Sequence, residues 1–187
     1  MKQILLILVV VALAGCGNKE AVEKPEPPKA APEKPITDPV VEKEIRFLLK
    51  KPTGELTKAD YEKVETLNLF NNKLTELPKG LEKLTKLEVL WLPNNQLTSV
   101  KELEKHTQLT NLDLSGNKLT DVKGLEKLTQ LEYLTLTGNN LTSVKGLEKL
   151  TQLQKLFLVG NPGLTKAQID ELQKALPKCD ISSNPTK

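Results

Sequence analysis

The stretch LTNLDLSGNKL, residues 109–119, decides the fold because its frame occurs five times in this chain. Leucines hold its first, fourth, sixth and eleventh positions, and an asparagine holds the ninth. The other copies are VETLNLFNNKL (64–74), LEVLWLPNNQL (87–97), LEYLTLTGNNL (131–141) and LQKLFLVGNPG (153–163), with Val64 for the first leucine in one and Gly163 for the last in another. The asparagines are Asn72, Asn95, Asn117, Asn139 and Asn161, at intervals of 23, 22, 22 and 22 residues. Such a period indicates a solenoid of stacked units.

The frame L-x-x-L-x-L-x-x-N-x-L resembles the leucine-rich repeat signature, and its 22-residue unit is similar to the class found in bacterial internalins. The resemblance implies an α/β fold: a right-handed leucine-rich repeat solenoid with a short parallel sheet on its concave side. The return segment 119–128 has apolar residues three apart, which favours a 3₁₀ or irregular convex turn over a full helix. We expect each repeat asparagine to bond backbone groups of the loops, since buried backbone groups must be satisfied.

Helix signals flank the repeats and predict a cap at each end. Asp38-Pro39 marks a helix start, and residues 57–60 resemble a capping box. At the other end, Thr165 and Gln168 form a second box, and Pro177 ends the helix. The expected buried faces are Val41, Ile45, Leu48 and Leu49 in the first cap and Ile169, Leu172 and Leu176 in the second. Cys179, in a segment that resembles the end of bacterial leucine-rich repeat domains, is expected to be a buried small hydrophobe.

The first residues resemble the signal peptide of a bacterial lipoprotein. Lys2 precedes eleven apolar residues, 4–14, which are too few to span a bilayer as a helix. Leu13-Ala14-Gly15-Cys16 resembles a lipobox, which implies that cleavage leaves Cys16 as the first residue, carrying a diacylglycerol and a further acyl chain such as palmitate. Gly17, in place of an aspartate, favours the outer membrane. An ordinary secretory signal or an uncleaved anchor is the alternative.

The sequence divides into five parts: a signal peptide (1–15), a lipidated cysteine with a proline-, lysine- and glutamate-rich tether (16–39), a helical N-terminal cap (40–63), five repeats (64–163), and a helical C-terminal cap with a tail (164–187). The tether has too few apolar residues to make a core, so we expect a disordered spacer. Its prolines could instead be ligands for an aromatic groove. The formal net charge of +3 is spread without a basic stripe, which argues against nucleic-acid binding.

The strand positions between the leucines form columns across the repeats, and four of the six aromatic residues fall in them. Exposed apolar area usually marks an interaction site, and aromatic anchors dominate binding energy there. The predicted ligand-binding side chains are Phe70, Trp91, Asn111, Asp113, Tyr133, Thr135, Lys155 and Phe157. The alternative is that these flat side chains only shield the sheet and pack on one another.

Catalysis finds little support in the sequence. His106 occupies the position that Leu84, Leu128 and Leu150 hold in the other units, so a half-buried packing role is expected. The Glu-Lys pairs of the return segments indicate solvated convex charge. No metal-ligand cluster, nucleophile elbow or nucleotide-binding loop is present in the sequence, and no cofactor is expected beyond the lipid. We predict a monomeric, membrane-anchored protein-binding scaffold of the bacterial envelope. A passive envelope lipoprotein and an enzyme with an unrecognised site are the alternatives.

Overall fold

Each repeat contributes one short strand to a single parallel sheet. The computed structural model describes residues 35–184. The strands are β1 (Thr66–Asn68), β2 (Val89–Trp91), β3 (Asn111–Asp113), β4 (Tyr133–Thr135), β5 (Lys155–Phe157) and β6 (Asp180–Ser182), in that spatial order. The predicted solenoid is confirmed. The signal peptide, Cys16 and the tether as far as residue 34 lie outside the described residues and stay predictions.

The two leucines of each strand region build the core. Side chains alternate across a strand, so the fourth and sixth frame positions point to one side of the sheet and the fifth to the other. In the third repeat, Leu112 and Leu114 are buried while Asp113 between them faces outward. The register aligns the fourth position through the whole sheet, from Leu67 to Ile181. Each buried leucine contributes about 1.5 to 3 kcal/mol, so stacking stabilises strands too short to persist alone.

The return segments form 3₁₀ turns, as predicted, at Leu81–Lys83, Lys101–Lys105, Leu125–Lys127 and Leu147–Lys149. In the third repeat the turn starts after Gly124, whose φ of 94° is left-handed. The Gly124 N–H donates to the Glu126 carboxylate at 2.7 Å, and Gly80 and Gly146 make the same bond to Glu82 and Glu148. These glutamates therefore fix backbone geometry, a role that goes beyond the predicted solvated charge.

A ladder of buried asparagines joins consecutive repeats. The Asn117 Oδ1 accepts from the Leu97 N–H at 3.0 Å, and its Nδ2 donates to the carbonyls of Leu92 and Leu114, each at 3.0 Å. Asn95, Asn139 and Asn161 are buried in equivalent positions. Asn72 also bonds loop backbone, since its Nδ2 donates to the Phe70 carbonyl at 3.1 Å, but it is exposed and does not join the ladder. A ladder asparagine bonds the repeat before its own, and Asn72 belongs to the first repeat.

The N-terminal cap contains helices α1 (Pro39–Leu48) and α2 (Lys58–Tyr61). The predicted capping box is confirmed, with Thr57 and Asp60 bonding each other's backbone N–H. Val41 and Ile45 are buried, but Leu48 is 40% exposed, contrary to prediction. Because α1 ends at Leu48 and the chain turns there, Leu49 packs against the core instead.

The packed part of this cap begins inside the segment that the sequence assigns to the tether. Ile36 is buried, and its N–H donates to the hydroxyl of the buried Tyr61 at 3.2 Å. No local sequence pattern predicts this contact, because Ile36 lies outside any periodic segment. No helix within residues 35–184 is long and apolar enough to cross a membrane.

The C-terminal cap is helix α3 (Lys166–Ala175) followed by β6. Its predicted capping box between Thr165 and Gln168 is confirmed, and Leu172 and Leu176 are buried. Strand β6 was not predicted, because its residues lie outside the repeated frame that marks the other five strands. The fifth repeat also departs from the frame: Gly163 is exposed, and Leu164 one residue later is buried.

Candidate functional site

The outward side chains of β1–β5 and of the residues just after each strand form one surface, here called the sheet face. In one column Trp91, Asp113, Thr135 and Phe157 are register partners on neighbouring strands, and in another so are Asn111, Tyr133 and Lys155. Phe70 lies two residues beyond β1, where the Asn71 N–H donates to the Pro93 carbonyl. The structure thus brings all eight side chains predicted as ligand-binding to the same surface.

The aromatic side chains of the sheet face are exposed to solvent. The exposed fractions are 52% for Phe70, 41% for Trp91, 37% for Tyr133 and 38% for Phe157. None of the four therefore belongs to the packed interior. Side chains of this size are normally buried, so their exposure is the main feature that distinguishes this surface.

The apolar side chains form two groups on either side of the third repeat. The first apolar group belongs to repeats one and two and comprises Phe70, Val89, Trp91 and Pro93. The second apolar group belongs to repeats four and five and comprises Tyr133, Phe157 and Val159. Trp91 and Phe157 lie three strands apart in one column, which corresponds to about 14 Å at the usual strand spacing of roughly 4.8 Å.

The third repeat supplies a polar centre between these groups, comprising Asn111, Asp113 and Ser115. All three are half-buried. The Asp113 Oδ1 accepts from the Ser115 N–H at 2.8 Å and from its Oγ at 2.6 Å, which holds the turn after β3. Asn68 performs the same task in the first repeat, where its Oδ1 accepts from the Phe70 N–H at 3.0 Å. Among the described residues, no donor lies within hydrogen-bond distance of the other Asp113 oxygen, Oδ2.

Carboxylates line the margin of the sheet face at the start of the strands. Glu65, Glu88 and Glu132 occupy the second frame position of their repeats. Glu132 accepts from the Gln154 side-chain amide at 3.1 Å, and that amide's oxygen accepts from the Tyr133 hydroxyl at 3.2 Å. In the part of the chain that is described, neither these glutamates nor Asp113 forms an ion pair.

Two titratable groups away from the sheet face, His106 and Cys179, are buried. His106 is only 6% exposed, so it is buried and not half-buried as predicted. Burial lowers the pKa of His106, while Glu82 and the Leu84 backbone oppose that shift. Burial likewise raises the pKa of the Cys179 thiol, and nearby Asp180 adds to the effect.

For the Asp60 carboxyl, hydrogen bonds outweigh burial in setting the pKa. Hydrogen bonds from Lys51 and Thr57 hold the pKa of its carboxyl well below the usual range. Residues 35–184 contain no group of three or more side chains placed to hold a metal ion.

Besides Leu48, sequence reasoning missed a more exposed apolar residue outside the sheet face. Phe47 on α1 is 76% exposed, beside Arg46 and Pro52. The available signal was its place on the predicted amphipathic helix, one turn after Lys43 and Glu44 and one turn before Lys50.

Comparisons with known proteins identify relatives of the repeat region. Residues 62–105, 107–147 and 129–174 match the family model described as leucine-rich repeats in two copies. An internalin (inlF) from Listeria monocytogenes shares 29% identity at a TM-score of 0.71, over 80% of this chain and 44% of its own. A leucine-rich repeat protein from Leptospira interrogans shares 33% identity at a TM-score of 0.61, over 68% of this chain and 34% of its own.

A second Listeria internalin, internalin C2, is similar in fold, with a TM-score of 0.63 and 24% identity over 79% of this chain and 74% of its own. No curated protein sequence matches the chain. The chain spans less than half the length of the inlF and Leptospira proteins.

Proposed function

This chain belongs to the leucine-rich repeat family, and we propose that it is a membrane-anchored scaffold of the bacterial cell envelope that binds a protein ligand through its sheet face. Leucine-rich repeat domains are typically protein-interaction scaffolds. The single observation that carries the proposal is the exposure of Phe70, Trp91, Tyr133 and Phe157 on one surface. The core and the ladder are built from buried leucines, valines and asparagines, so these exposed aromatic side chains contribute little to the fold.

The open shape and the composition of the sheet face favour a protein over a small molecule as the ligand. The sheet face is an open surface about five strands wide, and three clefts elsewhere in the described residues are lined by other side chains. Small ligands bind in concave pockets that bury most of their surface. Protein interfaces instead use exposed aromatic anchors surrounded by polar residues, which is the composition found here.

The binding proposal is tested by affinity capture from an envelope extract of the producing bacterium, with the full chain as bait. The Trp91→Ser and Phe157→Ser variants should each lose the captured protein. Phe47→Ser is the matched control, because it removes an exposed aromatic side chain outside the sheet face. Capture that is unchanged by both sheet-face substitutions would favour a passive envelope component.

The anchoring proposal rests on the lipobox-like residues Leu13-Ala14-Gly15-Cys16. Two or three acyl chains hold a protein stably at a membrane, whereas one chain holds it only marginally. The substitution Cys16→Ser should therefore move the protein from the membrane fraction to the soluble fraction after cell lysis. Continued sedimentation of the variant with membranes would show that another element is the anchor. We propose the outer membrane, which Gly17 in place of an aspartate favours, and density-gradient separation of the two membranes tests this placement.

A further inference from the structure

The arrangement of the sheet face restricts the chemistry of a ligand that covers it. The first and second apolar groups are separated by the polar centre of the third repeat, and Asp113 lies in the same column as Trp91 and Phe157. A ligand that contacts both apolar groups must pass over Asp113. Its carboxylate then leaves water together with the aromatic side chains.

Removal of this carboxylate from water is unfavourable unless the ligand supplies a donor. Asp113 is already half-buried, and its Oδ1 is saturated by the Ser115 N–H and Oγ. The Oδ2 has no donor among residues 35–184, and no lysine or arginine of that range pairs with it. A buried charge is tolerated only when it is paired and hydrogen-bonded. An apolar ligand surface at this point would leave the charge uncompensated.

We propose that the ligand is a polypeptide segment in which a lysine or arginine lies between two apolar residues, with the basic side chain on Asp113 and the apolar ones on the two apolar groups. The inference rests on the proposed function, since it assumes that the sheet face binds protein. Arginine suits the site better than lysine, because its guanidinium is less strongly hydrated and offers several donors. Asp113 is thus a specificity-determining residue in addition to holding its own turn.

The spacing along the column sets the spacing in the ligand. Asp113 is one strand from Trp91 and two strands from Phe157, which corresponds to about 5 Å and about 10 Å. In an extended peptide, residues i, i+2 and i+4 point to the same side at intervals of roughly 6.7 Å. The order apolar-x-basic-x-apolar therefore places its three side chains over Trp91, Asp113 and the neighbourhood of Phe157.

The surrounding charge favours the same class of ligand. Within the second, third, fifth and seventh frame positions, Glu65, Glu88, Glu132 and Asp113 are acidic, and Lys155 is basic. This local excess of carboxylates contrasts with a chain whose formal net charge is +3. Two lysines lie farther out at the same margin. The Lys63 Nζ is 3.6 Å from the Asp60 Oδ1, and Lys86 is exposed. Complementary potential would speed association with a basic segment.

The test is selection of peptides from a random displayed library on the immobilised full chain. We expect the selected sequences to share a basic residue between two apolar residues. For a synthetic peptide of that sequence, Asp113→Asn should weaken binding by about tenfold or more, because one partner of a desolvated charge pair is lost. Asparagine at this position preserves the turn, as Asn68 shows in the first repeat.

The matched control is Asp121→Asn. The Asp121 Oδ1 accepts the N–H of the residue two positions later, as Asp113 does, but it lies in a return segment away from the sheet face. Binding of the peptide to this variant should equal binding to the native chain. The salt dependence of binding should also fall in Asp113→Asn and not in Asp121→Asn.

The outcomes separate this inference from the proposed function. Selected peptides that lack a basic residue, or that bind Asp113→Asn as tightly as the native chain, overturn the basic-ligand inference alone, provided that Trp91→Ser abolishes binding. Peptides that bind Trp91→Ser and Phe157→Ser unchanged overturn the sheet face as the binding site, and so does the absence of any selected peptide.

Discussion

Single side chains decide how the repeats are joined, and the asparagine ladder is the clearest case. Asn117 satisfies backbone groups in its own repeat and in the repeat before it, with three hydrogen bonds of 3.0 Å in an interior made mostly of leucine. Asn72 has the same place in the frame but is exposed. Position in the frame therefore predicts the role only where a preceding repeat exists.

The pair Asn117→Ala and Asn72→Ala tests this difference. Loss of the Asn117 amide leaves the buried Leu97 N–H without a partner, which should lower the free energy of unfolding by roughly 1 to 3 kcal/mol. The two carbonyls that Asn117 contacts keep the bonds that they accept from Asn95 and Asn139. Asn72→Ala should change it by about 0.5 kcal/mol or less, as exposed substitutions usually do. Urea denaturation followed by circular dichroism measures both. Equal losses in the two variants would contradict the ladder.

His106 makes stability depend on pH. Burial lowers its pKa in the folded chain below the ordinary value of 6.5, so the unfolded chain binds more protons below that pH. The free energy of unfolding should therefore fall as pH decreases from 7 through 6 to 5. In His106→Leu, which restores the leucine of the other repeats, this part of the decrease should disappear. Denaturation midpoints of both chains from pH 5 to 7.5 provide the comparison, and parallel curves would refute a buried neutral histidine.

Secondary-structure elements depend on close contacts between successive turns. The 3₁₀ turn Leu125–Lys127 directly follows Gly124. A Cβ added to Gly124 would lie 2.6 Å from the Lys101 Cα and 2.7 Å from the Lys101 carbonyl oxygen. The second repeat has Glu102 where the other turns have glycine, and its 3₁₀ segment is longer, Lys101–Lys105. Glycine is therefore needed where one turn packs closely on the backbone of the preceding turn.

Gly124→Ala and Gly54→Ala separate close packing from backbone strain. Both glycines have left-handed φ values, 94° and 85°, but a Cβ on Gly54 meets only the Lys51 Cε at 3.9 Å. Gly54→Ala should cost about 1 to 2 kcal/mol from the left-handed conformation alone. Gly124→Ala should cost roughly 1 to 3 kcal/mol more, because backbone must also move. Thermal unfolding of the two variants measures the difference, and a smaller loss for Gly124→Ala would contradict the contact.

Sequence reasoning recovers the elements that repeat or carry a cap signal. The strands β1–β5, the 3₁₀ turns and both capping boxes follow from the frame and from Thr57 and Thr165. Strand β6 and the burial of Ile36 do not, since each depends on a tertiary partner that no local pattern encodes. The exposure of Leu48 likewise depends on where α1 ends.

In the molecule as a whole, the leucines and asparagines of the frame stack the repeats, and the side chains between them form the exposed sheet face. Period and register place the predicted binding side chains on one surface, and this much could be inferred from the sequence alone. The split into two apolar groups around Asp113 is visible in the columns as well. The turn-holding bond of Asp113 and its unpartnered oxygen required the structure. The ligand's identity depends on another molecule and is not encoded in any repeat.

The most direct test of the sheet face uses a photo-crosslinking amino acid at Thr135, between Asp113 and Phe157, in the native bacterium. We predict a discrete covalent adduct with one protein, and its loss when Trp91→Ser and Phe157→Ser are added. The same group at Lys127, in an exposed 3₁₀ turn, should give no such adduct. Absence of an adduct from Thr135, or the same adduct from Lys127, would contradict a ligand-binding sheet face.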